Sequence, residues 1–163
     1  MKKEMKTVSH LLPCSVVLLT AGNGKMKDAM TATSMFVSEN PPLFVVSVAK
    51  GHLTHALIEE TGEFVLNVAS AGQVKLAREL GSTHGEKLDK FERFAVKTEN
   101  ADKVSAPLIK GSFAFIECVV MTSFPVSTNT VFLAHAVNFK VNSDLIPLVW
   151  HLDRYFSLKD EAK

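Results

Sequence analysis

Two long segments in the C-terminal half limit the architecture of this chain more than any other feature. After Pro107 and Gly111, Phe113–Thr122 and Thr130–Val141 are strand-forming runs with a short polar stretch between them. In the second run Val131, Leu133, His135, Val137, Phe139 and Val141 recur at every other position, so they share one face of a strand. Phe113–Thr122 is apolar on both faces, which a small barrel with one wet face does not need. A covered second face would account for it.

The remaining signals agree with a mostly β chain. Ser15–Ala21 is rich in β-branched residues and runs into the turn sequence Gly22-Asn23-Gly24-Lys25. Asp28–Ser38 has no helical stripe and is too irregular for a regular amphipathic strand, and Asn40-Pro41-Pro42 then forces extended backbone. Leu43–Ala49 reads as a buried strand, apolar except at Ser47, and Phe64–Val68 reads as the next one. Thr54–Thr61 is a short helix with Thr54 as N-cap and Gly62 as its stop. Ser70–Gln73 is a capping-box pattern that opens a second helix ending near Leu80-Gly81. Gly81–Phe91 is polar and loop-like, Phe94–Lys97 returns as strand, Asp144–Pro147 turns the chain and Leu148–Leu158 closes it. The reading gives six or seven strands and two short helices, too few for a doubly wound sheet. We therefore expect a mainly β protein with short helices (α+β), built on a β-barrel, with residues 1–163 as a single domain.

Composition narrows the partners. The 163 residues are 47% hydrophobic and 21% charged, with a formal net charge of +1, which creates no general field for nucleic acid or an anionic membrane. Apolar runs such as Leu43–Val46 and Phe113–Ile116 are only four residues long, far short of the roughly 20 residues a membrane helix needs. Leu11–Leu19 is broken by Pro13, Cys14 and Ser15 and lacks the clean apolar segment of a secretory leader, so the expected location is cytoplasmic. Cys14 and Cys118 are too far apart in sequence for a local metal or redox pair and read as packed thiols.

Most catalytic patterns are missing. His52 and His55 stand three apart but have no further ligands at metal spacing, so they read as solvated histidines at a helix start and no metal is expected. His135 falls on the apolar face of its strand and reads as a hydrogen-bonded core or interface histidine. Neither a nucleophile elbow nor a glycine-rich phosphate loop is present, which argues against hydrolase chemistry and standard nucleotide loops. The informative block is Met30–Thr54. Thr31, Thr33 and Ser34 crowd hydroxyls together, Ser47 interrupts a buried strand, and Lys50-Gly51-His52-Leu53-Thr54 leads into a helix. A cation, hydroxyls and free helix amides suit a phosphate. The bland alternative is that Thr54 caps its helix and Lys50 is solvated, and the residues alone leave both readings open.

The same block carries a resemblance. Met30-Thr31-Ala32-Thr33-Ser34, Val37-Ser38-Glu39-Asn40-Pro41-Pro42, Leu43–Ala49, Thr54 with Ile58, and Thr61–Val68 follow one another as in the flavin reductase-like family with the FMN-binding split-barrel fold. Gln73 with Leu76-Ala77, Lys87-Leu88-Asp89-Lys90-Phe91, Pro147-Leu148 and Arg154-Tyr155-Phe156 extend the resemblance from Pro13 to Leu158. It implies a homodimer with noncovalent FMN at or near the subunit seam. By position, Thr31, Ala32, Thr33 and Ser34 would meet the isoalloxazine edge, and Ser47, Val48, Ala49, Lys50 and Thr54 would hold the ribityl phosphate. His84, Gly85 and Lys87 would close over the flavin with Phe91 behind them, while Asn67 is equally well a strand residue bonding a neighbouring loop.

One departure stands out. Many members carry Gly-Asp-His and Gly-Glu-Val where this chain has Ser127-Thr128-Asn129 and Ala134-His135-Ala136. The family histidine belongs to the nicotinamide side of the flavin, so Asn129 bears on NAD(P)H use and leaves flavin binding intact. The resemblance thus implies an oxidoreductase passing electrons from NAD(P)H through flavin to an acceptor, with a redox protein or a monooxygenase as partner. The rival readings are a flavoredoxin-like electron carrier reduced by a protein, and a non-catalytic flavin-binding module. No catalytic residue is assigned, because hydride transfer to flavin requires no acid–base dyad.

Overall fold

The computed structural model describes residues 8–83 and 88–159. A 3-10 turn at Val8–Leu11 precedes β1 (Cys14–Ser15), β2 (Val17–Gly22), β3 (Lys27–Ala32), β4 (Ser34–Glu39) and β5 (Pro42–Ala49). Then come α1 (Leu53–Thr61), β6 (Glu63–Val68), a 3-10 turn at Ala71–Gln73, α2 (Val74–Ser82) and α3 (Lys90–Arg93). The chain continues through β7 (Thr98–Glu99), β8 (Leu108–Ile109), β9 (Ala114–Val126), β10 (Asn129–Val141), β11 (Leu148–His151) and β12 (Arg154–Ser157).

Seven strands form one sheet in the order β3-β2-β6-β9-β10-β5-β4, with antiparallel neighbours throughout. Its two edge strands are separated in sequence by Thr33 alone. The sheet must therefore curl until its edges approach, and a mostly β barrel results. The interior is filled from every side. Val17, Leu19, Val46, Val48, Phe64, Leu66, Cys118 and Phe132 point inward, and Leu57 and Ile58 of α1 plug the open side. A large side chain such as Phe64 or Phe132, removed from water at this depth, contributes about 1.5–3 kcal/mol. A second apolar layer lies outside the wall, where Ala77 and Leu80 of α2 meet Val16, Leu18, Ala29, Phe91 and Leu148.

Local signals explain several boundaries. The Asn23 side chain accepts from the amides of Lys25 (3.0 Å) and Met26 (2.8 Å), folding the β2–β3 turn, and Gly24 takes a φ of 82° there. Gly62 ends α1 with a φ of 68° and donates its amide to the Ile58 carbonyl at 2.8 Å. Gln73 reaches back to the Ser70 amide at 3.0 Å, and α2 follows as expected. Asn67 is fully buried and serves as a structural clamp: its carboxamide donates to the Leu18 carbonyl (2.7 Å) and accepts from the Ile109 amide (2.7 Å).

Four expectations change. Asp28–Ser38 forms two regular strands broken at Thr33, because the chain crosses there from one sheet edge to the other. Leu43–Ala49 is buried on one face only: Val46 and Val48 enter the core, while Ser47 is exposed. On β10, Thr130, Phe132 and Ala134 face the core, so Val131, Leu133 and His135 face outward. A register shift between Ala136 and Asn138 breaks the expected stripe, putting Phe139 and Val141 opposite Ile116 and Ala114 on the other face. Phe94–Lys97 is not a strand. Asp89 accepts from the amides of Phe91 and Glu92 and nucleates α3 instead.

The long hairpin leaves much apolar side-chain surface exposed. Val119, Phe124 and Val126 lie on the outward face of β9. Phe139 and Val141 of β10, past the register shift at Ala136–Asn138, pair with Ile116 and Ala114 and so share the inner face of the sheet, Phe139 being 72% exposed. Met35, Phe36 and Val37 of β4 add to the exposed apolar surface. Burial would raise the carboxyl of Glu117, but hydrogen bonds from Asn138 and the amides of Lys103, Asp102 and Val104 outweigh it and hold it below the usual carboxylate range. Cys118 is packed in the barrel, its thiol pushed up to about 12 by burial and by the neighbouring Glu117 charge. No helix among the described residues is long and apolar enough to cross a membrane.

Candidate functional site

The site is framed by a buried ion pair. Asp28 on β3 and Lys90 at the start of α3 are each only 2% exposed. The Lys90 ammonium lies 3.0 Å from one Asp28 oxygen and 3.2 Å from the other, and also donates to the Ala29 carbonyl at 2.8 Å. The same carboxylate accepts the Thr54 amide (3.0 Å) and the Thr54 hydroxyl (2.5 Å) at the first turn of α1. An anion is favourable at a helix N-terminus, and here the protein's own side chain takes that position. One expectation for Thr54 is corrected: His52, not Thr54, is the N-cap of α1. Thr54 is fully buried, with its amide and hydroxyl both donating to Asp28.

The other anion-binding candidates lie on the open surface. Pairing of β4 with β5 sets Ser34 opposite Val46, beside Ser47. Ser47 and Lys50 are exposed and Ala49 is half-buried, whereas the Val48 side chain turns into the core, leaving only its backbone for a ligand. The tip of the β9–β10 hairpin is fastened to this end of β5. The Lys50 amide donates to the Thr128 carbonyl at 2.9 Å and its ammonium lies 3.3 Å from the Ser127 carbonyl. The Asn129 carboxamide donates to Ser47 Oγ at 2.9 Å.

Next to Ser34 a cleft of about 310 Å3 opens, lined by Val16, Thr31, Ala32, Thr33, Trp150 and Tyr155. Its hydroxyl groups are unequal. Thr31 donates to the Ala77 carbonyl at 2.6 Å, docking α2, and Ser34 donates to the Val45 carbonyl at 3.0 Å. Thr33 has no side-chain partner among the described residues and is exposed. Trp150 and Tyr155 face each other across the β11–β12 ladder, whose two-residue turn places Leu152 and Asp153 at positive φ. The Arg78 guanidinium sits 5.6 Å from the Tyr155 ring centre, at the rim. Burial raises the Tyr155 phenol above its ordinary value, Arg78 opposes this and Asp153 adds to it. A flat apolar group with polar edges fits such a cleft.

Other candidates fall outside it. Phe91 is 5% exposed, packed in the layer behind the wall with the Lys27 ammonium 4.5 Å from its ring centre. His84, Gly85 and Lys87 lie outside the described residues. His55 is buried rather than solvated, bonded to the Thr130 hydroxyl at 2.8 Å and 3.5 Å from Glu59. His135 is half-buried on the outward face, opposite Val119. No cluster of metal-ligating side chains occurs among the described residues. A wider groove of about 800 Å3, lined by Lys25, Lys27, Leu53, Asp89 and Ser105 among others, contains none of the predicted site residues that fall among the described ones. Sequence reasoning missed Lys90, Asp28, Trp150 and the rim position of Arg78; only the closing Arg154-Tyr155-Phe156 segment hinted at the aromatic wall.

Comparison with known proteins supplies independent information. Residues 9–159 match the flavin reductase like domain. An NADH-dependent FAD reductase of Streptomyces globisporus is 29% identical over 136 residues, covering 82% of this chain and 73% of that protein. The solved structure of the NADH:FAD oxidoreductase SgcE6 of Streptomyces globisporus C-1027 superposes with a TM-score of 0.86 at 25% identity, covering 98% of this chain and 96% of that one. Flavoredoxin from Methanosarcina acetivorans superposes with a TM-score of 0.85 at 25% identity, covering 99% and 94%.

The buried pair makes a direct prediction. Lys90→Met leaves the Asp28 carboxylate without its counter-charge and is expected to lower stability by roughly 3–5 kcal/mol in urea unfolding. Adding Asp28→Asn removes the stranded charge but keeps an acceptor for the Thr54 amide, so the double variant should recover part of that loss. A double variant no more stable than the single one would contradict this account of the pair.

Proposed function

The chain belongs to the family of flavin reductase like domains, and from that membership we propose that it is an FMN-dependent oxidoreductase that takes electrons from NADH and passes them to an acceptor. The observation that carries this reading is the sequence of surfaces along one edge of the barrel. The cleft at Thr31–Thr33 has an aromatic wall, Ser34 next along the chain pairs with Val46 of β5, and Ser47 and Lys50 are exposed at the end of that same strand. This arrangement fits a planar ring at one end and an anionic tail at the other. Relatives named NADH-dependent FAD reductase and FMN reductase (NADH) RutF support both the activity and the donor.

Bound flavin supplies the redox centre and the hydride acceptor. The protein's residues bind and orient it. Trp150, Tyr155 and Val16 exclude water from the ring, and Thr33, which belongs to neither flanking strand, offers its hydroxyl to the polar ring edge. Lys50 and Ser47 hold the phosphate. Thr54 is left out of that set, because a phosphate at α1 would have to displace the Asp28 carboxylate. Asp28 and Lys90 instead fix the helix so that Lys50 projects from a rigid base.

A second reading, a flavoredoxin-like carrier reduced by a protein partner, is favoured by Asn129, whose carboxamide is spent on Ser47 and Thr128. In either case we propose a homodimer. The exposed valines, phenylalanines and methionines of β9, β10 and β4 form the surface a second copy would cover. The free thiols Cys14 and Cys118 support placing it, as a single domain, in the reducing cytoplasm.

Three measurements test these readings. Protein loaded with FMN under anaerobic conditions is expected to lose its flavin absorbance rapidly on adding NADH; bleaching only by a reduced iron–sulfur protein would replace the reductase with the carrier. Lys50→Ala is expected to weaken FMN roughly tenfold, the effect of losing one charge-assisted contact, and to leave riboflavin within about twofold. Equal losses for both ligands would move the phosphate elsewhere. Sedimentation at micromolar concentration should give a dimer, and a monomer there would refute the seam on the β9–β10 face.

A further inference from the structure

The hydrogen bonds at the end of β5 run in one direction. A carboxamide offers an acceptor oxygen and a donor NH2 group, and at this position it uses one of each, accepting from one hydroxyl and donating to another. Asn129 accepts from the Thr128 hydroxyl at 3.2 Å and donates to Ser47 Oγ at 2.9 Å. Ser47 therefore receives a hydrogen bond on a lone pair and keeps its own proton. No other partner of the Ser47 hydroxyl occurs among the described residues, and its strand neighbours Val46 and Val48 turn into the core. The hydroxyl stands on an exposed surface with the Lys50 ammonium three residues along.

The base of this chain is held firmly. Asn129 pairs with Ala49 and Val131 with Ser47 in the β10–β5 ladder. The hairpin tip beyond it, with Ser127 at a φ of 52°, is bonded to both the amide and the ammonium of Lys50. The Asn129 side chain consequently approaches Ser47 from a fixed backbone position. An unconstrained serine hydroxyl rotates to suit whatever approaches it, whereas this one has a lone pair engaged by Asn129, which turns its proton away from the carboxamide.

We propose that Asn129 is a positioning residue that commits the Ser47 hydroxyl to donate, so that Ser47 and Lys50 together form a site selective for acceptor oxygens. Resting on the flavin reading above, this names those oxygens as the phosphate or ribityl oxygens of the bound flavin. Asn129 touches neither ligand nor reacting atoms in this role. It acts through Ser47 alone.

The test is a double-mutant cycle on FMN affinity in the full-length protein, read by quenching of flavin fluorescence, with urea midpoints recorded for each variant. Ser47→Ala is expected to weaken FMN about tenfold and Asn129→Ala about fivefold, each of the size of one hydrogen bond. If Asn129 works through Ser47, the double variant should bind within about twofold of Ser47→Ala alone. Asn129→His keeps an N–H donor and should bind within about twofold of the unmodified protein. Asn129→Asp, nearly the same shape but able only to accept when ionised, turns the Ser47 proton inward and should lose more than Asn129→Ala. Losses that multiply in the double variant, or an aspartate that binds as well as asparagine, would overturn the proposal while leaving flavin binding in place. Unmodified protein that binds no flavin would overturn the flavin reading itself, and this inference with it.

Discussion

The Asp28 carboxylate sits in the barrel wall and ties together three parts of the chain that lie far apart in sequence. Through its oxygens β3 holds the first turn of α1 and the ammonium of Lys90 on α3. Removing two charges from water is costly, and their mutual attraction roughly offsets that cost only when the remaining donors are also satisfied. Here they are: Thr54 supplies an amide and a hydroxyl to the carboxylate, and the Ala29 carbonyl takes another ammonium proton. The cluster contributes little net stability compared with an apolar filling, but it permits very little play. The start of α1, and with it the Lys50–His52 turn, is thereby held against the barrel.

That constraint also decides where an anion can go. A helix N-terminus followed upstream by lysine and serine suggests a phosphate nested on the helix itself. With Asp28 already there, a second anion would meet a carboxylate instead of free amides. The donors left exposed near this helix start are those of Lys50 and Ser47, which the hairpin tip of β9 and β10 contacts, and the proposed phosphate site is built on them. Asn129 gains importance from this placement, because the outer site depends on side-chain donors whose direction must be set by their neighbours.

Much of the architecture was legible in the sequence. Long antiparallel strands, the Asn23 turn, the Gly62 stop and the Ser70–Gln73 box are local signals, and each appeared where it was expected. What escaped was long-range. Asp28 and Lys90 look like two ordinary surface charges until the fold brings them within 3.0 Å of each other. Alternation along β10 grouped Val131, Leu133 and His135 on one face, but period two is the same for an inward and an outward face, and only packing chose Phe132 over Val131. The register shift after Ala136, which moves Phe139 and Val141 to the other face, leaves no mark in the alternation. At the candidate site, Thr31, Thr33 and Ser34 are equivalent by composition. The fold separates them, giving Thr31 to α2 and Ser34 to β5 and leaving Thr33 exposed.

The division of labour among those hydroxyls follows from the barrel's closure. An edge strand must satisfy its outer backbone groups or cover them, and β3 and β4 are both edges joined by a one-residue corner. Thr31 and Ser34 flank that corner and spend their side chains securing it, one to the helix outside and one to the neighbouring strand. Ser15 reinforces it by donating to the Ser34 carbonyl at 3.0 Å. Thr33, at the corner itself, belongs to neither ladder, so its polar groups can face a ligand without loosening the sheet. The Trp150–Tyr155 hairpin then stands over the same corner and makes it a cleft. A seam that any curled sheet of this order must possess has become the place where a flat ring can be held.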